Sequence, residues 1–306
     1  MFDIKKYLKQ NSVTCFIYYI CRYKIIKPVK FYAAYARVKF LPFTLKNDEL
    51  EALRNTHKGE ACIIVGNGPS LKLSDLDLIQ KSGMDSFGAN KIFDLLDKTD
   101  WCPTYLSVMA PSFIIGSDAN TSPEEFASEI KKRKIRYAFL SYVLKNKIEK
   151  TRKIIFVNSY LACLFSTVTM PFSADCAKYV SDLGNVTQYS IQLAYYMGYR
   201  TIYLYGIDNT YTKILNSDGI FKNNSSIKSH ADGMRTNSCD EYSDSVPKTK
   251  FQAYRIGGYS DMRKSNKGYL ECKNFAAKHG LEIINLTHGG ALDFFERRDF
   301  YSVFGD

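Results

Sequence analysis

The 306-residue chain has no apolar run long enough to cross a bilayer, which takes about 20 residues. The longest such run near its start, Val13–Cys21, is roughly half that length, so no membrane span is expected. Its eight cysteines form no C-x-x-C pair and show no Cys/His spacing of a zinc site, which points to reduced thiols in a cytoplasmic protein. A secretory leader is not expected either. Lys5, Lys6 and Lys9 precede the apolar run and Ala34-Tyr35-Ala36 imitates a cleavage site, but Arg22, Lys24, Lys27 and Lys30 interrupt the stretch between them.

Catalytic signatures are equally sparse. The G-x-S-x-G elbow, the H-E-x-x-H helix and any dense His/Asp/Glu cluster are missing from the sequence, so metal-independent chemistry with no resident cofactor is the expectation. Neither G-x-G-x-x-G nor the P-loop pattern occurs, so ordinary NAD or ATP binding has no motif support. With 45% hydrophobic residues the chain is too apolar to be disordered, and it has no internal repeat.

What is present is positive charge. Lysine and arginine outnumber the acids to give a net charge of +11, which favours an anionic partner such as a nucleotide or a lipid surface. The run Lys131-Lys132-Arg133-Lys134 has no interleaved aromatics and reads as a solvated helix end, so no nucleic-acid partner is expected. Residues 1–45 mix aromatics such as Phe16, Tyr18, Tyr19, Phe31 and Tyr32 with many lysines and arginines and few acids. Two readings of this segment stay open: helix in the headgroup region of an anionic membrane, or a helical hairpin packed on the main domain. We take 1–55 as a basic N-terminal segment and 56–306 as the main domain.

From about residue 58 the pattern alternates between strand and helix. Short β-branched runs recur at 61–65, 84–88, 104–109, 136–140, 153–157, 201–205 and 281–285, with helical periodicity at 71–81 and 186–199. This predicts an α/β, Rossmann-like, doubly wound and mainly parallel sheet. Ser70 or Ser74 would cap the helix over 71–81. Residues 209–255 break the alternation with a polar stretch lacking periodicity, which reads as a lid-like loop.

Three segments can carry chemistry. In the first, a strand ends in Gly66-Asn67-Gly68-Pro69-Ser70 and turns into a helix; glycines there let a ligand phosphate approach backbone N–H groups at the helix start. In the second, Asn90 follows the next strand, so Asn67 and Asn90 could meet one substrate at the carboxyl edge of the sheet. In the third, Gly206-Ile207-Asp208 closes another strand, where Asp208 could bind a ribose hydroxyl, orient an acceptor, hold a basic partner or cap its own loop. Of the four histidines, His279 reads as a solvated helix end. His230 in the polar loop and His288 after the last strand are the better placed for acid–base work.

Taken together, IIVGNGPSL, FGANKIF and VTQYSIQLAYYMGYRTIYLYGIDNTY resemble the bacterial lipooligosaccharide sialyltransferases of glycosyltransferase family 42 and the wider DUF115 group of surface-polysaccharide gene clusters. The likeness spans roughly residues 60–290. It implies that Gly66, Asn67, Gly68, Ser70 and Asn90 hold the CMP part of a CMP-sugar. Thr187 and Gln188 stand where the family has a threonine–serine pair, and Tyr211 is displaced by one position from a phosphate-contacting tyrosine. The family's catalytic histidine falls where this chain reads Tyr254-Arg255-Ile256-Gly257-Gly258-Tyr259. Either His230 replaces it, with His288 as competitor, or the acceptor is activated differently; Arg255 could neutralise the leaving phosphate.

The resemblance therefore implies a glycosyltransferase moving sialic acid or a related acidic sugar from a CMP-linked donor to a glycan or glycolipid acceptor, in lipopolysaccharide, O-antigen or capsule synthesis. His230, Asp208 and Tyr211 would be catalytic. Such an enzyme would be cytoplasmic, peripheral at the inner face of the cell membrane, and a homo-oligomer is compatible with it. The alternatives are a magnesium-dependent phospho- or pyrophosphotransferase of the DUF115 type and a non-catalytic subunit of polysaccharide assembly.

Overall fold

The computed structural model describes residues 29, 47–90, 92–109, 114, 121–159, 171–210, 213–215, 221–223, 231 and 262–305. The basic stretch within residues 1–45 lies almost wholly outside these. Helix α1 (Asp48–Glu51) opens the described domain, capped by Asn47, whose side-chain oxygen accepts the N–H groups of Glu49 and Leu50. Leu50 is fully buried, and the Asn47 amide donates to the Phe156 carbonyl, so this first turn is packed onto the domain.

Eight strands form one parallel sheet in the order β10-β9-β6-β1-β2-β3-β4-β5. They are β1 (Ala61–Val65), β2 (Ser86–Ala89), β3 (Tyr105–Val108), β4 (Tyr137–Ser141), β5 (Ile154–Val157), β6 (Thr201–Tyr205), β9 (Glu282–Asn285) and β10 (Glu296–Arg297). Residues on alternate strand positions feed two cores, as a sheet covered on both faces requires. Cys62, Ile64, Phe87, Tyr105 and Leu204 pack under helices α5 (Val186–Met197) and α6 (Met262–His279). Ile63, Val65, Leu106 and Ile284 pack under α2 (Leu73–Ser82), α3 (Phe93–Leu96), α4 (Pro123–Lys132) and α7 (Tyr301–Phe304). The chain runs outward from β1 to β5, then returns to place β6 on the other side of β1. The strand order therefore reverses between β1 and β6, the place where open α/β sheets collect ligands at the carboxyl ends of their strands.

Local sequence sets the element ends. Ser122 and Glu125 make a reciprocal capping box at α4, with Pro123 at its first position and Lys131 and Lys132 in its last turn. The basic run beyond is solvated and ion-paired, Lys131 to Glu149 and Arg133 to Asp97 and Glu129. Asn185 and Gln188 box the start of α5, and Gly198, at φ 108°, ends it in a left-handed turn.

Two expectations change. Neither Ser70 nor Ser74 caps α2: Lys72 is its N-cap, with no side-chain cap bond, because the Ser70 hydroxyl is drawn to Asp208 and that of Ser74 to Asp75. The polar segment 209–255 also holds an antiparallel pair, β7 (Lys213–Leu215) with β8 (Phe221–Asn223).

Candidate functional site

The β1 and β6 turns are locked together. Gly66 N–H donates to the Tyr205 carbonyl and Gly68 N–H to the Gly206 carbonyl, both at 2.8 Å. A Cβ at Gly66 would sit 2.5 Å from the Gly206 oxygen, and one at Gly68 would overlap the Asp208 carboxylate. The bare faces of both glycines are thus turned to the neighbouring turn of their own chain, where two backbones pass too closely for a side chain. Ser70 completes the lock, its hydroxyl and N–H both directed at Asp208 Oδ2, at 2.9 and 3.3 Å. Asp208, which is buried, caps this foreign turn rather than its own loop.

Next to that lock, three buried polar atoms have no hydrogen-bond partner. Asn67 donates its amide nitrogen to the Ala89 carbonyl at 2.9 Å, which fixes the orientation of the carboxamide and leaves Oδ1 buried without a partner. Asn90, held at φ 46°, donates its backbone N–H to the Ser107 carbonyl, and its Oδ1 is buried and unpartnered as well. The Ser107 hydroxyl, fully buried on β3, is a third. These atoms lie on the ends of three adjacent strands, since Ala89 is the register partner of Ser107. A buried, unsatisfied polar atom costs about 1–3 kcal/mol, so three on neighbouring strand ends make this edge the candidate site. Sequence reasoning missed Ser107; its only signal was a small hydroxyl inside the otherwise bulky strand Tyr-Leu-Ser-Val.

The N-terminus of α5 faces the same edge, with Thr187 buried in its first turn. Gln188 is occupied inside the protein. Its Oε1 accepts the Asn185 N–H, and its Nε2 donates to the Ser265 carbonyl of α6 at 2.7 Å. Ala231, the residue after His230, is buried and donates its N–H to the Asn67 carbonyl at 2.9 Å, which ties this one residue to the glycine turn. His230, Tyr211 and Arg255 themselves lie outside the described residues.

A second constellation stands beside β6 and β9 at the carboxyl edge. Asp75, buried in the first turn of α2, accepts from Tyr205 OH at 2.6 Å, Tyr301 OH at 3.1 Å and His288 Nε2 at 2.8 Å. Burial alone would raise its carboxyl pKa, but the hydrogen bonds from Tyr205, His288 and Tyr301 hold it below the usual carboxylate range. Burial and the same carboxylate push the Tyr205 phenol up. The loop that carries His288 is clamped by Arg297, which donates to the carbonyls of Thr287, Gly289 and Leu292. That loop meets the first lock: Thr287 Oγ1 accepts the Ile207 N–H and the Ala291 N–H donates to the Asp208 carbonyl.

The other described histidines are elsewhere. His279 ends α6 exposed, stacked on Phe275. His57 lies at the amino edge with Glu60 and Asp85, and these three are the one group among the described residues close enough to share a metal ion. The four described cysteines, Cys62, Cys102, Cys176 and Cys272, are free thiols.

Residues 36–213, more than half of the chain, match the family model for 6-hydroxymethylpterin diphosphokinase MptE-like proteins. The chain belongs to the MptE-like family. This bears out the wider DUF115 part of the sequence resemblance, not glycosyltransferase family 42 itself, and places the chain with Rossmann-like transferases. No curated protein matches it. Among solved structures it is similar to a mammalian sialyltransferase in complex with Gal-beta-1-3GalNAc-ortho-nitrophenol, at 12% identity over 86% of each chain. The TM-score of 0.28 is too low for that likeness to carry an argument.

Proposed function

We propose that this MptE-like protein is a nucleotide-dependent transferase whose donor is a CMP-activated acidic sugar, sialic acid or a relative, and whose acceptor is a hydroxyl of a cell-surface glycan or glycolipid. The observation that carries this reading is the trio of unpartnered buried atoms, Asn67 Oδ1, Asn90 Oδ1 and Ser107 Oγ. Two of them are carbonyl oxygens and can only accept. A phosphate, itself an acceptor, leaves them unsatisfied, whereas the exocyclic amine of a base such as cytosine or adenine and the hydroxyls of ribose supply the N–H and O–H groups they lack. The nucleoside therefore belongs against the ends of β1, β2 and β3. Its phosphate then reaches toward the start of α5, whose Thr187 and positive helix end favour it. Asp208 serves this site by holding the glycine turn through Ser70, and Tyr211 and Arg255 keep the phosphate-contacting roles that the sequence resemblance implies.

A second reading, magnesium- and nucleotide-dependent diphosphoryl transfer, is favoured by the name of the family. Against it, two buried carboxylates at this edge are spent on protein partners, Asp208 on Ser70 and Asp75 on Tyr205, Tyr301 and His288.

Thermal melting separates the two. CMP at about 100 times its dissociation constant adds roughly 2.7 kcal/mol and raises the melting temperature by several degrees. UMP, which has an oxygen in place of the cytosine amine, does less, and Asn90→Ala abolishes the difference between them. A flat response to CMP with a clear shift from ATP plus magnesium moves the protein to the diphosphokinase reading.

A further inference from the structure

Transfer to a hydroxyl needs a group that takes the hydroxyl proton. The sequence points to His230 for that role, but the described residues contain a different histidine already built for it. We propose that His288 is the proton acceptor of the transfer reaction, with Asp75 as its positioning residue; this rests on the transferase reading above. Three observations support it.

The first is geometry. His288 gives Nε2–H to Asp75 Oδ2 at 2.8 Å, and no described residue engages Nδ1. An imidazole so held presents a lone pair on the opposite nitrogen in one fixed tautomer. The second is the environment of the carboxylate. Asp75 is 1% exposed while His288 keeps 26% of its side chain open, so the anion is sealed and the base is reachable. The third is location. His288 follows β9 at the carboxyl edge, and its loop rests on Asp208, which in turn holds Ser70 and the turn that carries Asn67.

Three aromatic rings pack around the imidazole. Tyr205 meets it edge-on at 5.7 Å, and Phe300 and Tyr301 lie at 5.8 Å. The titratable and charged groups around it are Asp75 and Lys72 from α2, Tyr205 from β6 and Tyr301 from α7. Arg297 clamps its own loop, and Asp208 lies across Gly290.

In the step itself the acceptor O–H bond breaks and its proton passes to Nδ1. The oxygen's electron pair forms the new bond to the anomeric carbon, and the old bond from that carbon to the nucleotide phosphate breaks, its pair leaving on CMP. Asp75, kept ionised by its three hydrogen bonds, stabilises the imidazolium that results.

The test uses the full chain, CMP-N-acetylneuraminate as donor and lactose as acceptor, with released CMP as the readout. His288→Gln keeps an N–H for Asp75 but removes the base. It is expected to retain the CMP-induced melting shift and lose about 10²–10⁴-fold in turnover. In the parent protein the acid-side fall of turnover should track protonation of His288 followed by its ring Cε1–H NMR signal, a coincidence that a purely structural histidine does not produce. Asp75→Asn should lower kcat with little change in KM. A His288→Gln protein that keeps both the CMP shift and the parental rate overturns the assignment alone and returns the role to His230. A parent protein that neither melts higher with CMP nor releases CMP from the donor overturns the transferase reading and this assignment with it.

Discussion

At the scale of single residues, the chain places its costly groups in pairs that explain one another. Asp75 is a buried carboxylate whose burial is offset by Tyr205, His288 and Tyr301. Because its folded pKa is held below the unfolded value, the stability it adds is fully present above about pH 4 and is lost as pH falls through the lowered folded value. Asp75→Asn should therefore destabilise the protein by about 1–3 kcal/mol at neutral pH and flatten the acid end of its stability curve, as read by urea unfolding from about pH 7 down to about pH 1. A parallel downward displacement at every pH would show that the carboxylate charge contributes nothing. Gly68 and Asp208 are a second pair. A methyl group at Gly68 overlaps the Asp208 carboxylate, so Gly68→Ala should cost about 1–3 kcal/mol. Adding Asp208→Ala should recover part of that loss despite removing the cap on Ser70, and a double-mutant cycle that comes out additive would contradict the contact.

Elements were legible where one stretch of chain carried its whole signal. The strands at 61–65 and 201–205 match the sequence expectation residue for residue, because each is a short β-branched run closed by glycine. The helix over 186–199 ends two residues early, at Met197, since Gly198 takes the left-handed turn. What stayed hidden depends on partners far along the chain. Ser70 looks like a helix cap until Asp208, 138 residues later, takes its hydroxyl. The His288–Asp75 pair spans 213 residues and no local pattern announces it. Ser107 reads as strand filler because only the absence of a hydrogen-bond partner distinguishes it. The start of α5 shows how such ties stabilise an element. Asn185 accepts the Gln188 N–H while donating to Ser265 and Tyr269 of α6. Asn185→Ala should lose the cap, worth about 0.5–2 kcal/mol, and those two bonds as well. Asn185→Asp keeps the cap alone and should fall between parent and alanine in thermal melting; an aspartate variant no better than alanine would mean that the ties to α6 dominate.

For the whole molecule, strand order and charge point the same way. The reversal between β1 and β6 gathers the unpartnered acceptors, the glycine turn and the His288 loop at one edge of the sheet, the edge at which we propose that an anionic nucleotide sugar binds. Most of the remaining question lies in the basic aromatic residues of 1–45, which the sequence reads either as a membrane-facing segment or as a solvated hairpin. The two readings differ in how binding responds to charge. If the segment lies on an anionic bilayer, each cation near the surface contributes about 1 kcal/mol. Replacing Lys24, Lys27 and Lys30 by glutamine should then weaken co-sedimentation with phosphatidylserine vesicles by about 3 kcal/mol, on the order of 100-fold. Raising the salt toward 1 M shortens the screening length to about 3 Å and should release the parent protein. A hairpin packed on the domain predicts neither effect: the triple variant and the parent would sediment alike at every salt concentration, and vesicles of phosphatidylcholine alone would retain as much protein as those carrying phosphatidylserine.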